Sequence, residues 1–218
     1  GNRTQPAPLW NSVVADVSDF TWNDSSWMAE RKKYDDRRQP VSIYETSLGQ
    51  WKSGKELVAF AKEKGYTHVE LHPVMEFLED GSDGYPTSAY FAVSTRYGTP
   101  AEFAALVDGL HQVGIGVILD WSPAQFPRYA GGLEKFDGTP LYERQNPAEA
   151  IHPFWGTLLY NYGSPMVKDF LISNACFWAE VYHADGLRMD DVDAMLYLDY
   201  GRNPGEWTPN IYGTNENL

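Results

Sequence analysis

The chain has 218 residues, 43% hydrophobic, with 19 Gly and 14 Pro, a balance that suits one sizeable core and excludes disordered or collagen-like classes. Its 17 basic residues against 30 acidic ones leave a net charge of −13, with no basic run or basic helix face, which argues against nucleic acid or an anionic membrane surface as partner. A single cysteine, Cys176, removes intrachain disulfides and cysteine-rich zinc sites, and no apolar stretch approaches the ~18 residues of a membrane span, so a soluble, cytoplasmic protein is expected.

Residues 1–40 are irregular, with Pro6, Pro8 and Pro40, an acidic patch at Asp16 and Asp19 and a mixed-charge run over 30–38. They read as a lead-in or the edge of a preceding domain, with one short helix over 25–34. From Val41 a strand-then-helix texture begins and continues to Leu218. A strand is expected over 41–45, then a helix opened by a Ser53/Glu56 capping box and stopped at Gly65. A second strand over 67–71 is followed by a long Gly/Asp/Pro loop over 78–97. Thr99, Pro100 and Glu102 open the next helix, which places Phe103, Leu106, Val107, Leu110 and Val113 on one face and ends at Gly114. A third strand over 116–120 is apolar until Asp120, as a parallel strand covered on both faces should be. Ser164 and Pro165 open a helix to about Tyr182, and 184–190 is the fourth strand.

Four strands separated by helices predict an α/β fold with a parallel sheet. The long loops follow the carboxyl ends of strands two and three, where α/β barrels and doubly wound sheets build their sites. A closed eight-stranded barrel takes ~250 residues, so either the sheet is open or a barrel is cut.

Asp120 and Asp190 each close a predicted strand, so both carboxylates face the site end. Strand side chains alternate with period two, so Arg188 shares a face with Asp190 and its charge favours the ionised carboxylate that a nucleophile needs. The same Arg-x-Asp pattern also serves as a structural ion pair at a strand end. The histidines at 68, 72, 111, 152 and 183 have no zinc spacing and read as ordinary polar residues. There is no phosphate-cradling glycine loop, no Gly-x-Ser-x-Gly elbow and no cofactor motif. The many aromatic residues in polar stretches, such as those over 20–27 and 206–212, can stack on sugars or fill a core.

Several segments resemble the glucan branching enzymes of the α-amylase superfamily: SIYETSLGQW at 42–51, GYTHVEL at 65–71, GYPTSAYFA at 84–92, RYGTP at 96–100 and GIGVILDW at 114–121. GTLLYNYG at 156–163, DGLRMD at 185–190, MLYLDY at 195–200 and GEW at 205–207 continue the resemblance, the last two being similar to branching enzymes in particular. It implies the first half of a (β/α)8 catalytic barrel over 41–218, in an enzyme that breaks an α-1,4 glucan and passes the donor piece to a 6-hydroxyl by retaining chemistry. By position it implies Asp190 as nucleophile, Arg188 as its charge partner, Asp120 as a site-shaping carboxylate and Tyr85 as the ring beneath the sugar being cleaved. The substrate implied is an α-glucan such as glycogen, with the rest of the barrel supplied by the parent chain.

The chain departs from that pattern at several places. Gln125 stands where a histidine is usual, able to hydrogen-bond a sugar hydroxyl but not to carry charge. Asp191 replaces a small residue after the expected nucleophile, Asp193 follows, and Asp83 and Pro86 flank the Gly84-Tyr85 pair. The general-acid Glu of the family has no counterpart before Leu218. The expectation is therefore a branching-enzyme segment that is inactive alone, the alternative being a catalytically silent glucan-binding or assembly module.

Overall fold

The computed structural model describes residues 3–4, 12–33 and 38–218. The elements in chain order are β1 (Arg3–Thr4), β2 (Ser12–Val13), α1 (Ser25–Glu30), β3 (Ile43–Thr46), α2 (Gly54–Lys64), β4 (His68–Leu71), β5 (Met75–Phe77) and β6 (Thr87–Val93). They continue with α3 (Pro100–Gln112), β7 (Gly116–Trp121), β8 (Gln125–Phe126), α4 (Pro147–Ala150), β9 (Leu158–Leu159), α5 (Pro165–Val181), β10 (Gly186–Met189) and α6 (Val192–Leu196). Contacts divide the chain into a first unit of Gly1–Tyr85, Ala89–Asp120 and Asn174–Arg188 and a second of Pro86–Ser88, Trp121–Ser173 and Met189–Leu218.

The helices start where their sequences say. The Thr99 hydroxyl accepts from Glu102 N at 3.1 Å and the Glu102 carboxylate accepts from Thr99 N at 2.7 Å, a complete capping box with Pro100 at the first turn. At α2 the box is half built: Ser53 Oγ accepts from Glu56 N, but Glu56 turns its carboxylate to Lys52 N. Gly65 takes the left-handed cap at φ 74°. α1 is followed by a tighter turn over Arg31–Lys33; Tyr34, the expected end of that helix, lies outside the described residues, as do Pro6 and Pro8.

Strands β3, β4, β7 and β10 form one sheet in that order, each beside its predecessor in sequence. The register is regular: Ile43 faces His68 and His68 faces Gly116, while Thr46 faces Leu71 and Leu71 faces Leu119, all in parallel pairing. Asp185 N donates to Val117 O at 2.8 Å, which carries the same sense on to β10. An order that never reverses is that of a barrel segment and not of a doubly wound sheet with a switch point. Under it Leu57, Phe103, Leu106, Val107, Leu110, Val117 and Leu119 are buried, so the apolar faces of α2 and α3 close on the strands. Val113, expected on the same face, is instead the half-buried cap of α3.

The stretch 78–97, expected as loop, contains β6, part of a second sheet in the order β2-β1-β6-β5. The run TSAYFAV is rich in β-favouring residues, and the Gly/Asp-rich half before it conceals it in composition. The loop after β7 likewise carries an antiparallel ribbon, Gln125 paired with Leu159 and Phe126 with Leu158. Among the described residues, no helix is long and apolar enough to cross a membrane.

Residues 22–31 are tied to the rest of the first unit by buried charge. His111 on α3 is fully buried, its Nδ1 2.8 Å from Asp24 Oδ2 and its Nε2 2.9 Å from Asp185 Oδ2. Both ring nitrogens thus face carboxylates. His183 adds 2.7 Å to Asp24, while Arg31 Nη1 and Trp27 Nε1 donate to Asp185 Oδ1 at 3.0 and 2.9 Å. Burial alone would raise both acids, yet the hydrogen bonds and charge of His111, joined at Asp24 by His183, hold them below the usual carboxylate range. Trp27 stacks on His111 and Trp22 on His183, sealing the network.

Candidate active site

In the first unit three expected site residues converge. Asp120, next to last in β7, is buried, and its Oδ2 accepts from the Tyr85 hydroxyl and from Arg188 Nη1, the latter at 2.8 Å. Arg188 Nε lies 3.5 Å from Glu70 Oε1, so one guanidinium from β10 spans the carboxylates of β7 and β4. Burial, then the charge of Glu45, pushes the Glu70 acid up, against the pull of Arg188. Asp120 Oδ1 is buried with no hydrogen-bond partner among the described residues.

The backbone before Tyr85 sets that ring. Asp83 at φ 53° and Gly84 at φ 101° turn the chain sharply, and a Cβ on Gly84 would come within 2.7 Å of Pro73 O. Only glycine makes this close approach without strain. Further along, buried Glu76 accepts from Arg96 Nη1 at 2.5 Å and Ser94 Oγ at 3.0 Å, and the Arg96 guanidinium lies 4.3 Å from the Phe77 ring centre. This clamp fixes β5 against the start of the turn Thr95–Tyr97.

Asp190 and Gln125 belong to the second unit. Asp190 is half-buried, the first residue after β10, and its N–H donates to Trp121 O at 3.0 Å. Gln125 on β8 is buried, its amide engaged at both ends: Oε1 accepts from the Thr157 hydroxyl and Nε2 donates to Asp191 Oδ2 at 3.1 Å. Fully buried His152 lies 2.8 Å by Nε2 from the same Asp191 oxygen, out of line for a hydrogen bond. Its Nδ1 accepts from the Phe154 and Trp155 N–H groups at 3.2 and 3.3 Å, which places the ring proton on Nε2, facing the carboxylate. Asp191 is left-handed, φ 58° and ψ 40°, at the N-cap of α6. That region costs about 1–2 kcal/mol for L residues, least for Asn and Asp. The Tyr200 ring sits edge-on to His152, and its hydroxyl is pushed up by burial and then by the charges of Asp191, Asp193 and Asp190.

Tyr85, Asp120 and Arg188 thus form one hydrogen-bonded group, while Gln125 and Asp190 lie in the second unit with Asp191. Glu70, His152 and Thr157 are additions that sequence reading missed. Glu70 is next to last in β4 as Asp120 is in β7, but the strand expected over 67–71 ends at Leu71, so the rule that picked Asp120 passed over it. The Gln125–Asp191 bond joins residues 66 apart and leaves no local trace.

Comparison with known proteins completes the description. Across its whole length the chain is 48% identical to the 1,4-alpha-glucan branching enzyme GlgB of Methylococcus capsulatus. Over 99% of the chain it is 50% identical to the enzymes of the same name from Frankia casuarinae and Thermobifida fusca. It covers 31%, 27% and 30% of those proteins, so the chain spans about a third of the length of the curated relatives it matches. A crystal structure of a Salmonella typhimurium protein assigned provisionally as an alpha amylase superposes on 84% of the chain, and on 30% of its own, with TM-score 0.70 and 26% identity. No family model matches.

Proposed function

We propose, for a chain that belongs from end to end to a segment of the glucan branching enzyme family, that it supplies the nucleophile and the sugar-orienting half of a transferase forming α-1,6 branches in α-1,4 glucan. The observation that carries the reading is Asp120, buried near the end of β7, whose Oδ2 is held by both Tyr85 and Arg188. In the reaction the Asp190 carboxylate attacks the anomeric carbon, and the bond to the leaving 4-oxygen breaks as that oxygen takes a proton. A glycosyl ester remains. A 6-hydroxyl of the acceptor then attacks the same carbon, loses its proton to the group that gave one, and releases Asp190. The net configuration is retained. The proton donor is expected from the part of the relatives' length beyond this chain. In this reading residues 1–40 are a lead-in and 41–218 the first half of the barrel, acting on a glycogen-like glucan.

Asp190→Asn in the full polypeptide that carries this segment is the test, because the amide is nearly isosteric and cannot form the ester. Linkage analysis should find branching reduced by at least ~10³-fold. Retention of a tenth of the activity overturns the nucleophile role. The second reading, a silent glucan-binding module, is favoured by the engagement of the Gln125 amide inside the protein. Unbranched product from the unmodified polypeptide, with amylose still bound, would establish it.

A further inference from the structure

We infer that Asp191 is a positioning residue for Asp190, a side-chain pin that locks the left-handed turn immediately after the nucleophile. The inference rests on the proposed role of Asp190. Asp191 stands in a conformation that most side chains resist, and its carboxylate is almost wholly buried. A residue under such strain keeps one geometry only if its surroundings over-determine it.

One hydrogen bond and one close polar contact do so here. Gln125 Nε2 reaches Asp191 Oδ2 from β8 and is itself held by the Thr157 hydroxyl beside β9. His152, in the turn that precedes β9, presents its protonated Nε2 to the same oxygen because its Nδ1 is occupied by two backbone donors. The paired strands β8 and β9 are thereby coupled to the residue that follows Asp190. Asp190 has its own N–H on Trp121 O, so the peptide before it and the side chain after it are both anchored. A nucleophile held from both sides keeps its carboxylate on one line of attack, and misplacement by about 1 Å costs ~10²-fold in rate.

The groups facing this pin are Gln125 and His152 from the ribbon, Tyr200 after α6, and Asp190 and Asp193 on its own segment. Asp191 therefore also contributes a negative charge next to the nucleophile, which opposes ionisation of Asp190. Geometry and charge separate by substitution. Asn tolerates the left-handed region and still accepts from Gln125, whereas Ala does neither.

The test uses the full polypeptide with branching measured against amylose. Asp191→Ala is expected to lower kcat by about ten- to a hundredfold with KM changed less than about twofold. Asp191→Asn should restore at least half of that loss on a logarithmic scale and move the acid limb of the pH profile to lower pH. Gln125→Ala in the Asp191→Ala background should add little, since the two act as one unit. Equal losses for Ala and Asn with an unmoved acid limb, or losses that simply multiply, overturn the proposal. If the unmodified polypeptide forms no branches, the functional reading fails instead, and thermal unfolding of the same variants still decides the pin. Greater destabilisation by Ala than by Asn, with no added loss from Gln125→Ala, supports it; equal destabilisation overturns it.

Discussion

Two buried histidines in this chain face carboxylates, and the structure uses them in opposite ways. His111 in the first unit has a carboxylate at each ring nitrogen and bridges Asp24 and Asp185. His152 in the second unit has backbone donors on Nδ1 and one carboxylate near Nε2. Backbone N–H groups, not the carboxylates, make the difference: two donors on one nitrogen forbid a proton there. One cluster is a charged fastening across distant segments, the other a polar pin around a strained turn.

The largest test of that contrast is His111→Leu. It leaves two buried carboxylates without their shared partner and should cost ~3–5 kcal/mol, read from the midpoint of a urea titration. An effect under about 1 kcal/mol would mean that the network is decorative.

The next is pH. Asp24 and Asp185 have folded values below their unfolded ones, so their contribution is complete above about pH 4 and is lost as pH falls through the lowered values. Denaturation midpoints should be flat from about pH 7 to 5 and fall below about pH 4. In His111→Leu the acid-side fall should be shallower, because Asp24 and Asp185 lose one partner that lowers them while His183 and Trp27 remain.

His152→Leu should cost less, ~1–3 kcal/mol, for the two N–H groups of Phe154 and Trp155 left unsatisfied, with no carboxylate-range pH dependence added. A pH response like that of His111→Leu would show the ring to be charged and erase the distinction. Smallest is Thr157→Val, which removes the donor to Gln125 Oε1 at ~1 kcal/mol by thermal melting.

Local chemistry made much of the fold legible. Caps at Ser53 and Thr99, stops at Gly65 and Gly114, and the apolar run before Asp120 each act within a few residues, so sequence alone locates α2, α3 and β7 within about two residues. β6 was hidden because its partners β1 and β5 lie elsewhere in the chain and its approach is rich in glycine. At the candidate site, Asp120 is visible as a polar residue ending an expected strand, Arg188 through the alternation that puts it on the face of Asp190, and Tyr85 through resemblance. The pinning of Asp191 was not, because a glutamine, a threonine and a histidine from another loop acquire that role only in three dimensions. His111 looked ordinary for the same reason, its two carboxylates being 87 and 74 residues away.

Those separations give the charged fastening a consequence for biosynthesis. Trp27 and Asp185 are 158 residues apart, and Arg31 and Asp185 154 apart. At about 5–20 residues per second of translation, Trp27 and Arg31 wait roughly ten seconds or more for their partner to leave the ribosome. Through that interval Trp22 and Trp27 lack the His183 ring and the Asp185 carboxylate that hold them in the folded chain. Closing so wide a loop comes late, so weakening the network should quicken unfolding and leave the folding rate nearly untouched.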